Sequence, residues 1–131
     1  MALRIQKHVI KEIVAHAEKN APIEACGYLA GNDDLVTVGV PLCNADESPK
    51  HFSFDPKEQF EAVRDLRKRG FKPMAVYHSH PASPARPSQE DIRLAFDPNV
   101  SYVIVSLDNG VAVKSFSLQA GTITEEEITL V

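Results

Sequence analysis

Two histidines stand one residue apart, His78 and His80, and a carboxylate, Asp91, follows eleven residues after the second. In a strand, residues i and i+2 point to the same face, so both imidazoles can aim at one point in space. A helix opening at Ser88 carries Asp91 in its first turn, within reach of the same point. Two His and one carboxylate, with water as the fourth ligand, make a catalytic zinc arrangement; structural zinc sites close on four protein ligands. A His-x-His pair alone fits an ordinary strand equally well, hydrogen-bonded or solvated. Asp91 is what turns the reading toward a metal. His8, His16 and His51 show no comparable partners, and His8 and His16 are expected to face solvent from a first helix.

The loop between the ligands, Pro81-Ala82-Ser83-Pro84-Ala85-Arg86-Pro87, places three prolines in seven residues. Each proline fixes its own φ and biases its predecessor toward extended backbone, which lowers the entropy lost when Asp91 is held against the strand. A plain strand-to-helix connector has the same composition. Ser88 suits a helix N-cap, its hydroxyl oxygen accepting the Asp91 N–H. A capping hydroxyl still has a proton to donate, and aimed at a substrate oxygen it would stabilise the oxyanion of amide hydrolysis.

Such hydrolysis also needs a general base for the water. Spacing does not identify it, because a residue distant in sequence can supply it. Among the eighteen acidic residues, Glu24 stands out where a helix gives way to an apolar strand, in Pro22-Ile23-Glu24-Ala25-Cys26-Gly27. A carboxylate entering a buried strand is costly unless paired or functional. A surface carboxylate at a strand start satisfies the sequence as well.

The elements that must hold these groups follow from periodicity. Apolar residues at Ile5, Val9, Ile10, Ile13, Val14 and Ala17 predict an amphipathic helix over Ile5 to Asn20, ending before Ala21-Pro22. Ala25 to Ala30 and Leu35 to Leu42 flank a Gly-Asn-Asp-Asp turn and predict a hairpin. His51 to Phe54 is a short extended piece. Asp55-Pro56 then opens a second helix, which carries Phe60, Val63 and Leu66 and stops at Gly70. Met74 to His78 is a strand and Ser88 to about Phe96 a third helix. Ser101 to Leu107 and Val111 to Leu118 are strands joined by Asp108-Asn109-Gly110, a strong hairpin signal. A last strand runs through Ile123 to Leu130, with Glu125, Glu126 and Glu127 facing solvent or in an edge bulge. The expectation is an α/β protein: a single domain over residues 1–131, with about three helices around one sheet.

Composition narrows the classes. A net charge of -4 with 14 basic and 18 acidic residues argues against a nucleic-acid binder, which needs a basic footprint. The cluster Arg64, Arg67, Lys68 and Arg69 sits at a helix C-terminus, where it complements the helix dipole. No apolar run is long enough to cross a bilayer and no signal peptide is evident, so a cytoplasmic protein without membrane contact is expected. Cys26 and Cys43 read as reduced, buried, small apolar residues.

Together, Glu24, His78-Ser79-His80-Pro81, Ser88 and Asp91 resemble the JAMM motif of MPN-plus metallopeptidases: Glu, then His-Ser/Thr-His-Pro, then Ser-x-x-Asp. Pro22-x-Glu24-x-Cys26-Gly27 and Phe52-Ser53-Phe54-Asp55-Pro56 are also similar to family segments, so the resemblance spans nearly the whole chain. It implies one Zn²⁺ on His78, His80 and Asp91 with water as fourth ligand, Glu24 as general base, and Ser88 at the oxyanion. It implies a curved mixed β-sheet flanked by helices, similar to the cytidine-deaminase arrangement. Deaminase chemistry itself is disfavoured, because the Pro-Cys-x-x-Cys and His-x-Glu signatures are absent.

Only about thirty residues separate Asp55 from Ser88, leaving little space for the insertions by which eukaryotic members grip ubiquitin. The chain looks more like small bacterial Mec-type members. That implies hydrolysis of a peptide or isopeptide bond after the C-terminal Gly-Gly of a ubiquitin-like or sulfur-carrier protein. Two alternatives are a non-catalytic MPN module that binds such a partner or scaffolds a complex, and a hydrolase of an unrelated small amide.

Overall fold

A computed structural model describes residues 2–95 and 97–131 of the chain. The order is β1 (Ala2–Ile5), α1 (Lys7–Asn20), β2 (Cys26–Asn32), β3 (Leu35–Leu42), α2 (Pro56–Lys68), β4 (Lys72–His80), α3 (Gln89–Leu94), β5 (Ser101–Ser106), β6 (Ala112–Gln119) and β7 (Thr122–Leu130). The expected end of the third helix at Phe96 lies outside the described residues; the helix proper closes at Leu94.

The strands run β1-β3-β2-β4-β5-β6-β7 around a closed barrel. This corrects the expectation of a curved, open sheet, while the mixed pairing holds: β1·β3, β1·β7 and β4·β5 are parallel and the rest antiparallel. Closure depends on β1. Leu3 and Ile5 are buried while Ala2 and Arg4 are exposed, the period of two that a strand requires. Ile5 also stands four residues before Val9, so the helical stripe absorbed it in the sequence. The pairing that decides the matter, with Glu127 to Leu130 on one side and Leu35 and Val36 on the other, is far away along the chain.

Helix α1 buries Val9, Ile13 and Ala17 against Leu29, Val36, Ala75, Tyr77, Val103 and Val105. His16 belongs to this face, not to solvent: its ring meets the Tyr77 hydroxyl at 2.7 Å, and Asn20 donates to Nε2 at 3.1 Å. Burial, with Lys19 nearby, lowers its pKa. Helix α2 starts as expected, Asp55 accepting the Glu58 N–H at 3.2 Å with Pro56 in the first turn. It ends where Gly70 takes φ 79° and the Phe71 N–H returns to the Leu66 carbonyl at 2.8 Å. Cys26 is buried, whereas Cys43 is exposed just past the end of β3, against the expectation that both are buried.

Strand β4 sits between β2 and β5, with His78 level with Cys26 on one side and Ile104 on the other. Alternation turns Ala75, Tyr77 and Ser79 toward α1 and leaves Val76, His78 and His80 on the opposite face.

Candidate metal centre

His78 Nε2, His80 Nε2 and Asp91 Oδ2 converge: the two nitrogens are 3.1 Å apart, and the oxygen is 3.2 Å from His78 and 3.0 Å from His80. Both histidines are buried at 4% exposure. His80 donates its Nδ1–H to the Pro84 carbonyl at 2.8 Å, which fixes the tautomer and turns the Nε2 lone pair inward. One proton can satisfy one pair of these atoms and leaves the other two contacts lone pair against lone pair. A divalent cation satisfies all three. Ligands about 2.0–2.1 Å from a tetrahedral zinc stand roughly 3.3 Å apart, close to the separations here. Among the described residues this is the one group of three or more His, Cys, Asp or Glu arranged to hold a metal.

Asp91 reaches this point through a capping box. Ser88 Oγ accepts the Asp91 N–H at 3.0 Å, and Asp91 Oδ2 accepts the Ser88 N–H at 2.9 Å. The oxygen that faces the histidines is therefore the one that caps α3. Burial works against ionisation of Asp91, but the adjacent His78 and His80 rings and the Ser88 N–H outweigh it and hold the carboxyl well below the usual carboxylate range. Burial alone would lower His80; Asp91 and the Pro84 carbonyl more than offset that and raise it. Phe52 stacks on the His78 ring, centroids 4.8 Å apart, and backs the metal-facing edge.

Glu24 lies between α1 and β2 and is buried at 3% exposure, so the surface alternative is set aside. Its Oε1 is the one buried side-chain oxygen or nitrogen among the described residues without a hydrogen-bond partner. Burial pushes its carboxyl up to about 7 against the pull of nearby His80, and Asp91 adds to the rise.

Four groups that hold the site were missed in the sequence. Ser79, between the histidines and facing away from them, accepts the Ala25 N–H on Oγ at 2.7 Å and so ties the Glu24 segment to β4. Its period-two position was the available signal. Buried Asn44 donates to the carbonyls of Glu24 at 3.1 Å and His51 at 3.0 Å, and accepts the Asp46 N–H at 2.9 Å and the Ser53 N–H at 3.3 Å. Phe52 and the Pro84 carbonyl complete the set, and neither carries a local signature. His51 stands outside the metal group, as expected, and has Asp46 at 2.8 Å.

From His78 and Asp91 a groove of ≈ 490 Å³ runs back toward Pro73, between α2 and α3. Its walls are mostly apolar.

Residues 6–119 match the family of prokaryotic homologs of the JAB domain. The chain belongs to that family, and its fold is shared by solved JAMM and MPN domains. It is 35% identical over 133 residues to the CysO-cysteine peptidase of Mycobacterium tuberculosis (strain ATCC 25618 / H37Rv), covering 98% of this chain and 91% of that protein. It is 35% identical over 132 residues to a probable TtuB-protein conjugate cleaving protease of Thermus thermophilus, covering 100% and 83%. The solution structure of protein DSY2949 from Desulfitobacterium hafniense superposes with a TM-score of 0.89 at 47% identity, covering 100% and 93%. The motif resemblance and the family thus agree, and the named relatives are peptidases. No described helix is long and apolar enough to cross a membrane.

Proposed function

We propose that this chain is a cytoplasmic zinc metallopeptidase that hydrolyses the peptide or isopeptide bond after the C-terminal Gly-Gly of a ubiquitin-like or sulfur-carrier protein. The observation that carries the reading is the meeting of three acceptor atoms at 3.0–3.2 Å near a buried carboxylate whose Oε1 has no partner. His78, His80 and Asp91 would hold the zinc, which supplies Lewis acidity and brings the pKa of a water to about 7.

The chain's own groups account for the rest. Glu24, with a carboxyl raised to about 7, takes a proton from the attacking water and passes it to the leaving nitrogen. The water oxygen bonds to the carbonyl carbon, the C–N bond breaks, and a carboxylate and an amine leave. Ser88 keeps the Asp91 N–H on its oxygen and donates its own proton to the developing oxyanion. The groove takes the tail in extended form, where glycines pass a narrow cleft without steric hindrance. A binding-only module has no use for a buried carboxylate with a bare oxygen, which supports catalysis over the scaffolding alternative.

The test is a carrier protein fused through its C-terminal Gly-Gly to a short peptide, incubated with zinc-loaded protein. Mass spectrometry should find cleavage after the second glycine. An intact fusion, or loss of zinc binding in neither His78→Ala nor His80→Ala, would overturn the proposal.

A further inference from the structure

Strand β5 runs beside the strand that carries both histidines. Its register sets Ile104 level with His78 and Ser106 level with His80. Alternation turns Val103 and Val105 into the core under α1, so Tyr102, Ile104 and Ser106 share the face of the histidines. Ser106 ends that stripe as a buried hydroxyl. A buried hydroxyl is costly unless its donor and acceptor capacity are both used. Here both are. Ser106 Oγ accepts the Asp108 N–H at 3.1 Å and donates its own proton to the Ser83 carbonyl at 2.6 Å. The first bond is local and shapes the turn toward β6. The second reaches the proline-rich loop between the ligands.

That loop has few means of attachment. Pro81, Pro84 and Pro87 have no N–H to donate, and the Arg86 N–H turns back on the Pro84 carbonyl at 2.8 Å. Among the described residues, the bond from Ser106 is the one hydrogen bond tying residues 81–87 to a strand other than β4. Ala85 is the second anchor, buried in a cluster with Ile104 and Phe116. Ser83 and Ala85 flank Pro84, whose carbonyl accepts the His80 Nδ1–H. With Arg86 and His80 both donating to it, that carbonyl has its full complement of partners.

A shift of the Pro84 carbonyl would turn the His80 ring and carry Nε2 away from His78 and Asp91. From this geometry, and resting on the zinc site of the proposed function, we infer that Ser106 is a positioning residue for the metal. By holding the Ser83 carbonyl it fixes the neighbouring Pro84 carbonyl, which aims His80. Ser106 touches neither metal nor substrate; it sets how tightly the site holds its ion. The prolines limit the shapes open to the loop, and Ser106 fastens the chosen shape to the barrel.

Full-length protein carrying Ser106→Ala tests this against Ser115→Ala. Ser115 is likewise a buried serine, on the adjacent strand β6, but its hydroxyl donates to Glu126 Oε2 at 2.7 Å. Competition with a chromophoric chelator should show zinc held about 10–100-fold more weakly by Ser106→Ala, the range for losing a group that orients a metal ligand. Ser115→Ala should stay within about twofold of wild type. In zinc-loaded protein, proton NMR should find the His80 Nδ1–H slow to exchange with solvent in wild type and about tenfold faster in Ser106→Ala. Unchanged zinc affinity in Ser106→Ala, even with a loss of stability, would reduce Ser106 to a turn residue and overturn the inference. Equal weakening in Ser115→Ala would overturn it too. A freely exchanging His80 Nδ1–H in zinc-loaded wild type would do the same, and that measurement decides even if Ser106→Ala does not fold. Zinc bound tightly and equally by all three proteins would overturn this inference alone; zinc bound by none would overturn the proposed function and the inference with it.

Discussion

Strand β4 offers two faces for comparison. Toward α1 it presents Ala75, Tyr77 and Ser79, every one at 1% exposure or less and closed by packing or hydrogen bonds. Toward the groove it presents Val76, His78 and His80, whose polar atoms point at one another and whose apolar neighbours line open space. The first face satisfies its groups within the protein; the second leaves three acceptors and the Glu24 oxygen in want of partners. A single strand thus carries stability on one side and unsatisfied chemistry on the other. Ser79 links them, because its hydroxyl on the closed face anchors the segment that bears Glu24 on the open one.

If the two faces are separable, substitutions on each should report differently. The largest effect belongs to His80→Ala: zinc is no longer retained on gel filtration and cleavage is abolished, while circular dichroism keeps its shape. Glu24→Gln comes next. It should keep zinc, measured by atomic absorption, and lower kcat by about 10³-fold, within the usual range for loss of a general base.

The same variant should behave oppositely in stability. The Glu24 carboxyl is raised from 4.5 to about 7 in the fold, so the native state binds more protons than the unfolded chain between those values. Its contribution to stability therefore falls as pH rises from about 4.5 through 7. In metal-free protein, Glu24→Gln should remove that slope and gain about 2–3 kcal/mol at pH 8 in urea melts. A parallel pH dependence for wild type and variant would mean that Glu24 is better solvated than its burial indicates.

On the closed face, Ile13→Ala should cost about 2–5 kcal/mol of unfolding free energy. Zinc content and kcat per folded molecule should stay at wild-type values; a fall in kcat would show the faces to be coupled. Ser88→Ala is the smallest of these in stability, about 1 kcal/mol for the lost cap. It should lower kcat some 10²-fold if the hydroxyl also faces the oxyanion. A stability loss with unchanged kcat would restrict Ser88 to capping.

The contrast also explains what was readable in the sequence. His78, His80, Ser88 and Asp91 lie within fourteen residues, and period two, a cap and a proline-stiffened loop describe their geometry locally. Helix α2 and the β5–β6 turn were legible for the same reason, since Asp55-Pro56 and Asn109-Gly110 each specify their own backbone. Barrel closure was not, because β1 is four residues long and its partners are more than thirty and more than one hundred and twenty positions away. Asn44 and Phe52 escaped for a related reason: a buried amide that organises a loop looks like any turn residue, and an aromatic stacked on a ligand looks like any core residue. Glu24 was a weak signal until its burial was known.

One consequence of Asn44 bears on how such a protein can be altered. A single side chain fastens the lip of the cleft from both ends, through Glu24 and His51 on one edge and Asp46 and Ser53 on the other. The outermost residues, Glu47, Pro49 and Lys50, are not among its partners. Ser48 belongs to the fixed base, its carbonyl accepting the Glu24 N–H at 2.9 Å and Asn44 Nδ2 at 3.4 Å; extra residues grafted between Pro49 and Lys50 would project from that base, so the lip can be enlarged as a module while Phe52 stays against His78.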